Sequence, residues 1–331
     1  MALNYDNVSA IVQKKYLPIL ADNVFESSYL FKQMKARPDI LDGGTKVVVP
    51  LLYAKGRGGS YAEWDLLDVR PKETRTAAEY DWAHLYANMT ISKQQEMKAS
   101  GDEAILNLIQ TEIETTEKTL IDLASTALFN DGSDTTDPHG LRKIINYDRT
   151  LGGIDSTTYT WWDAIVAADV DSNYTTSNLT AANLTNPSSD YFILTVMRKI
   201  WSKCIHNQEH PDGVYMSEGM FNLYEQVLQP YAQYHREPTQ AVKMAADGGF
   251  QVLEWKGVPV IYDEYCPAGF IFFTNSKYLN MKIHSDDNFS LGPWQKPVNQ
   301  QARIAQVTVT LQFVASNCRY LGRIECASSI G

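Results

Sequence analysis

The chain has 331 residues, 44% of them hydrophobic and 21% charged, with a formal net charge of −10. That suits a folded protein of two or three domains with a substantial core, and it argues against a sequence-independent nucleic-acid binder, which needs a basic face. No apolar run reaches the ~18 residues of a membrane span, and the opening Met-Ala-Leu-Asn-Tyr-Asp lacks the basic region and apolar run of a secretion signal.

Val8 to Ile19 has a helical pattern. Val24 to Ile40 is apolar without a clear period, a composition that fits an arm lying on a neighbouring surface. Asp42-Gly43-Gly44 is a break. Thr45 to Leu52 is β-branched and reads as a strand, with Pro50 pointing to an edge. Trp82 to Ser92 alternates with period two and reads as its partner. Between them lie roughly thirty residues with turn chemistry and mixed charge, long enough to be functional. A two-stranded ribbon is marginal alone in water, so this hairpin needs a surface, and another copy of the chain is the simplest supplier. Tyr61, Trp64, Leu66, Leu67 and Val69 are the residues ready for it.

Ser92 to Lys98 gives a short helical turn. A long helix is then predicted over 102–129, roughly 40 Å at 1.5 Å per residue. Ile105, Ile109, Ile113, Thr116, Leu120, Ala124 and Ala127 form one face, and Ile113 and Leu120 also belong to a second row with Leu106 and Ala127. Ser100 and Glu103 have capping-box spacing. Asn130-Asp131-Gly132 is a stop signal, and Glu114 and Lys118 form an i,i+4 pair. This helix reads as a spine on which two regions hang.

A new region starts near Asp137 and includes Gly152-Gly153 and Trp161-Trp162. Asp171 to Ser189 is a polar loop, a better reading of its Asn173, Asn178 and Asn183 sequons than glycosylation. Helices are predicted over 190–205 and, capped by Ser217, through Leu228. Strands are predicted over 214–216, 250–255, 258–262, 270–274 and 302–314, with 319–324 pairing with the end of the last.

No residue set converges on a reaction. Lys55-Gly56-Arg57-Gly58-Gly59 lacks the ending of a nucleotide-binding loop and fits a hairpin tip. His206 and His210 are not a His-Glu-x-x-His pair, and Pro211 follows. Asp263 and Glu264 are adjacent, so on a strand they point to opposite faces. Trp161-Trp162 could stack on a sugar or base, although buried aromatics in a core are commoner. Cys204, Cys266, Cys318 and Cys326 show no Cys-x-x-Cys and read as free thiols. No catalytic, cofactor or metal residues are expected.

The order of elements resembles the major capsid proteins of tailed bacteriophages with the Hong Kong 97 type of fold. The matching pieces are the segment before residue 42, the hairpin loop, the Gly-capped spine and Gly152-Gly153-Ile154 with Trp161-Trp162. The run Trp255-Lys256-Gly257-Val258-Pro259-Val260-Ile261-Tyr262-Asp263-Glu264 and the strand leading into Asn317-Cys318-Arg319 complete the match.

The resemblance implies an α+β Hong Kong 97-like capsid fold. Its parts would be an N-terminal arm (1–41), an extended β-hairpin loop (42–92), a peripheral domain with the spine helix (93–150), a mixed α/β axial domain (151–285) and return strands of the peripheral domain (286–331). It implies self-assembly into pentamers and hexamers of a shell around double-stranded DNA, without sequence-specific binding. Lys55, Arg57, Tyr61, Trp64, Leu66, Arg70 and Lys72 would contact the neighbouring subunit, and Ile109, Ile113 and Leu120 would form the spine-helix core. The loop begins too near Met1 for an internal scaffolding segment, so a separate scaffolding protein is expected, with a portal and a possible decoration protein. Lys55, Lys72 and Asn317 carry no mark of the covalent cross-link some relatives form. The rival readings are an encapsulin-like shell around a cargo enzyme, and a cytosolic enzyme or sugar-binding protein.

Overall fold

The computed structural model describes residues 28–35, 39–67, 70–98, 102–229 and 253–330. The predicted helix Val8–Ile19 lies outside them.

The strand Ala302–Ala315 is the centre of a five-stranded sheet. Ala305, Val307, Val309, Leu311 and Phe313 are buried on one face, as a period of two requires. Ala83–Ser92 runs antiparallel along one side, from Ser92 opposite Ala302 to Ala83 opposite Leu311. Leu279–His284 and Ser290–Leu291 run along the other, and Asp39–Leu41 adds in parallel to Leu279–His284. Leu279–His284 is a strand missing from the predicted elements; its buried Leu279, Met281 and Ile283 carry the alternation.

Near its end the central strand is buried on both faces, and its polar side chains are satisfied. Gln312 Nε2 donates to Asp81 O at 2.6 Å, and Gln312 Oε1 accepts from the His139 amide at 2.7 Å. Asp287 accepts from Ser290, Thr308 and Thr310 at 2.6, 2.5 and 2.5 Å, which ties three segments of this sheet edge together. Burial alone would raise the Asp287 carboxyl, but these three bonds and the nearby His84 outweigh it and hold it below the usual range.

A second, six-stranded sheet has the order Ile165–Val166, Gly322–Glu325, Phe270–Thr274, Gly213–Met216, Val258–Tyr262, Leu253–Trp255. The predicted pairing of 319–324 with the end of the central strand is therefore corrected: Gly322–Glu325 lies antiparallel to Phe270–Thr274. Close packing explains this. A Cβ at Gly322 would lie 2.8 Å from Cys204 Sγ and 3.3 Å from the Phe273 ring, so only glycine lets this strand sit against both sheet and helix. The boundary drawn at residue 285 shifts accordingly, because Leu279–His284 joins the first sheet and Gly322–Glu325 the second.

The run Phe270-Ile271-Phe272-Phe273-Thr274 is apolar on both sides because both sides face a core. Phe270 and Phe272 look into the core shared with the first sheet, and Ile271 and Phe273 into a second core. That second core holds the amphipathic helices Ile193–Cys204 and Glu218–Leu228. Ser217 makes no side-chain cap for the latter; its hydroxyl accepts from the Gly269 amide at 3.2 Å. In the polar loop, Asn178 Nδ2 donates to Asn173 O at 2.8 Å and Asn183 Nδ2 to Asn178 O at 2.7 Å. The three asparagines at five-residue spacing thus form a backbone brace.

The spine is a 27-residue helix, Asp102–Leu128, lying against Ala83–Ser92. Ile109, Ile113, Thr116, Leu120, Ala124 and Ala127 are buried, so the predicted face is the one that packs. The Ser100–Glu103 box and the side chains of Ile105 and Leu106 lie outside the described residues. A capping box does form one helix earlier: the Ser92 hydroxyl accepts from the Gln95 amide, and Gln95 Oε1 from the Ser92 amide, ahead of Lys93–Lys98. Gly132 has φ +72°, as the stop signal requires. Glu114 accepts from Gln110 at 3.3 Å rather than pairing with Lys118.

The segment expected to lie on a neighbour lies, in its described part, on its own chain. Tyr29–Lys35 is a helix that buries Leu30, Phe31 and Met34. Ser28 Oγ donates to Asp263 Oδ2 at 2.8 Å, Tyr215 Oη donates to Gln33 at 2.7 Å, and Asp39 pairs with Lys282.

Candidate assembly surface

Val47–Leu52 does form a ribbon, but with Arg75–Tyr80: Val47 lies opposite Tyr80 and Leu52 opposite Arg75. The predicted partner, Ala83–Ser92, belongs to the five-stranded sheet. Arg-Thr-Ala-Ala-Glu-Tyr carries little strand propensity of its own, and pairing and burial decide it. Val47, Val49, Leu51, Ala78 and Tyr80 are buried on the underside.

The surface they lie on is internal. Thr150–Leu151 and Ile154–Asp155 form a tight hairpin whose two turn residues, Gly152 and Gly153, have φ +61° and +76°. This turn wedges under the ribbon. The Glu79 amide donates to Gly152 O at 2.9 Å, and a Cβ on Gly152 would lie 2.7 Å from Ala78 Cβ. Tyr80 Oη donates to Ala315 O at 3.1 Å. The ribbon therefore needs no neighbour to support its base.

The tip differs. The ladder ends where the Tyr53 and Ala54 amides share Thr74 O, at 3.1 and 3.5 Å. Beyond it lies a local turn, in which the Asp65 amide reaches Ala62 O at 3.0 Å and Asp65 Oδ2 accepts from the Ala62 amide at 2.8 Å. Trp64 is 91% exposed and Leu66 fully so, with Tyr61 and Leu67 also open; Val69 lies outside the described residues. Lys55, Arg57, Arg70 and Lys72 are exposed around them. The outer face of the ribbon adds Val48, Pro50 and Leu52. Val48 and Leu52 are not among the predicted contact residues, although Val-Val-Val-Pro-Leu-Leu, apolar at every position, signals a strand with something to bury on both faces. Exposed large apolar side chains mark an interaction surface where they form one contiguous patch.

No family model and none of the curated proteins matches the sequence. Solved structures do match. The chain resembles the capsid subunit of cyanophage A-1(L), with a TM-score of 0.60 and 15% identity over 90% of this chain and 92% of that one. It also resembles the capsid of a native GTA particle, with a TM-score of 0.55 and 12% identity over 89% and 90%. A virus-like particle from Pyrococcus furiosus matches with a TM-score of 0.50 and 9% identity over 93% and 96%.

The chain has the Hong Kong 97-type capsid fold. Within this fold Ile109, Ile113 and Leu120 lie together in the interior, whereas Lys55, Arg57, Tyr61, Trp64, Leu66, Arg70 and Lys72 all lie on the exposed loop. The other residues weighed for chemistry are engaged structurally. Trp162 is buried and its Nε1 donates to Leu151 O at 3.0 Å, while Trp161 stacks on Tyr53. Asp263 accepts from Ser28 and from the Tyr265 amide, and burial raises its carboxyl above the usual range. His210 Nδ1 lies 2.8 Å from Pro211 O with its ring against Trp201, and His206 lies edge-on to Tyr320. The four cysteines are buried free thiols. Among the described residues no helix is long and apolar enough to cross a membrane.

Proposed function

We propose that this chain is a major capsid protein that self-assembles, as pentamers and hexamers, into an icosahedral shell around double-stranded DNA. The likeness in fold to capsid subunits over some nine-tenths of both chains carries this reading. The exposed apolar tip supports it, because a single copy leaves that surface uncovered.

The parts take the roles of arm (1–41), extended loop (42–92, its paired ribbon ending at Tyr80), peripheral domain (93–150 with the strands of the first sheet) and axial domain (from 151, built on the second sheet). Tyr61, Trp64 and Leu66 bury against the neighbouring subunit, and Lys55, Arg57, Arg70 and Lys72 set the register. The net charge of −10 suits enclosure of DNA without sequence-specific binding. A separate scaffolding protein, a portal and a decoration protein are the further partners.

The likeness to a virus-like particle favours a second reading, an encapsulin-like shell with protein cargo. Nuclease treatment of purified particles separates the two. Protected double-stranded DNA supports the capsid reading, and particles that hold a protein and no protected DNA refute it. A sugar-binding protein or enzyme, the third reading, is disfavoured because Trp161, Trp162 and Asp263 are already engaged.

A further inference from the structure

We propose that the strand Ala83–Ser92 pairs, edge to edge and antiparallel, with the same strand of a second copy of this chain, so that two five-stranded sheets join across a two-fold axis. This rests on the capsid reading for its setting, and on the geometry of the single chain for the open edge.

The edge follows from the direction of the backbone groups. In the central strand Ala302–Ala315 the Ile304 amide and carbonyl both bond to Gln295, and Gln306 O accepts from the Gly292 amide. The even positions therefore face that side, and the odd positions face Ala83–Ser92. The register pairs odd with odd, from Arg303 opposite Ile91 to Leu311 opposite Ala83. On Ala83–Ser92 the peptide groups of His84, Tyr86, Asn88 and Thr90 consequently turn the other way. Among the described residues no strand and no backbone group meets them. The next group on that side, the Ser92 amide, donates to Gln95 Oε1 at 2.9 Å, so the opening ends there.

Open edges are ordinarily kept short, or blunted by proline, charge or a bulge. Other outer strands follow this rule. Asp39–Leu41, Ile165–Val166 and Leu253–Trp255 have three, two and three residues, and Val47–Leu52 carries Pro50. Ala83–Ser92 runs for ten residues without proline, glycine, a formal charge or a break in register.

The strand is also its own complement. In the antiparallel register that uses all four outward residues, Tyr86 lies opposite the partner's Asn88 and His84 opposite the partner's Thr90. Each such pair exchanges two backbone hydrogen bonds. The apolar face matches as well, with Leu85 opposite the partner's Met89 and Ala87 opposite the partner's Ala87. Copies that each carry a net charge of −10 repel one another, and this uncharged strip lets two of them meet without desolvating a charge. A shell needs contacts between its clusters as well as within them. A two-fold joint of this kind supplies one, acting on copies that the loop has already brought together.

The test is a disulfide trap in the full chain. The four native thiols are buried, so mild oxidation reads introduced cysteines. Tyr86→Cys subunits are mixed with Asn88→Cys subunits before assembly. Facing residues of such a pair have Cα atoms about 5.5 Å apart, within disulfide reach. A cross-linked dimer should appear on non-reducing gels from the mixture and from neither variant alone. A second arm uses Asn88→Pro. The Asn88 amide points outward, so proline there removes no hydrogen bond within the chain. It should melt close to Asn88→Ala, while the loss of two intersubunit bonds weakens the edge contact about 5- to 150-fold. Asn88→Pro should therefore need a higher concentration than Asn88→Ala before light scattering shows assembly. Closed shells with no dimer band from the mixture overturn the joint and leave the capsid reading standing. Equal assembly thresholds for the two Asn88 variants also overturn the joint. A dimer band from chains that never close into shells supports the joint and ends the capsid reading. No association at all contradicts both.

Discussion

Gly152 and Gly153 offer a matched pair of perturbations. Both have positive φ, so alanine at either costs roughly 1–2 kcal/mol in backbone strain. They differ in what an added methyl group meets. At Gly153 nothing lies within 4 Å. At Gly152 the new Cβ lies 2.7 Å from Ala78 Cβ, 3.2 Å from the Tyr80 ring and 3.3 Å from Ala78 Cα. Two of those atoms belong to the ribbon near its backbone and cannot rotate away. Overpacking of this kind typically adds about 1–3 kcal/mol. Gly153→Ala should therefore lose about 1–2 kcal/mol, and Gly152→Ala the sum, on the order of 2–5 kcal/mol. Urea unfolding followed by tryptophan fluorescence measures both. Hydrogen exchange adds a local readout: the Glu79 amide, bonded to Gly152 O, should lose protection in Gly152→Ala and keep it in Gly153→Ala. Equal losses of stability, with Glu79 equally protected in both, would refute the wedge.

Three further outcomes are expected. Leu120→Ala should cost about 2–5 kcal/mol and Ile113→Ala a similar amount, while Glu114→Ala on the outer face should cost tenths; equal melting shifts would mean the helix face is misassigned. Trp64→Ala should slow assembly, read by light scattering, more than Lys72→Ala, because exposed ion pairs give about 0–1 kcal/mol; raising salt should speed assembly by screening the −10 charge, and collapse at moderate salt with Lys72→Ala the worse variant would contradict this. His139 is pushed down to about 4 by burial, with the Lys143 charge adding to this and Asp81 opposing it. As pH falls from the unfolded value near 6.5 toward 4, the unfolded chain takes up a proton that the folded chain refuses, so stability drops by on the order of 3 kcal/mol. His139→Gln should flatten that part of the stability–pH curve, and an unchanged slope would sink the assignment.

Much of the fold was legible because its longest elements carry a regular apolar period over many residues. The spine and the strand 302–315 repeat their apolar positions over many residues, so the period is unambiguous. Partner choice was less legible, since pairing is set by residues far apart in sequence. Ala83–Ser92 looks like the natural hairpin partner of Val47–Leu52, yet it pairs with a strand more than two hundred residues away. Arg75–Tyr80 has almost no signal, because its burial depends on the Gly152 turn beneath it. Leu279–His284 does alternate, with Asn280 and Lys282 as its polar positions, but over only six residues the signal is short. The apolar tip was legible for the opposite reason: Tyr61, Trp64 and Leu66 sit among charges and turns, where the chain has nothing of its own to cover them.

The central claim is that this chain builds a closed shell through the extended loop. Negative-stain electron microscopy of the full chain beside a variant lacking residues 55–73 tests it most directly. The account predicts curved and closed shells from the full chain, many of them aberrant without a scaffolding partner, and folded single subunits from the variant. Single subunits from the full chain at every concentration and salt, or normal shells from the variant, would contradict it.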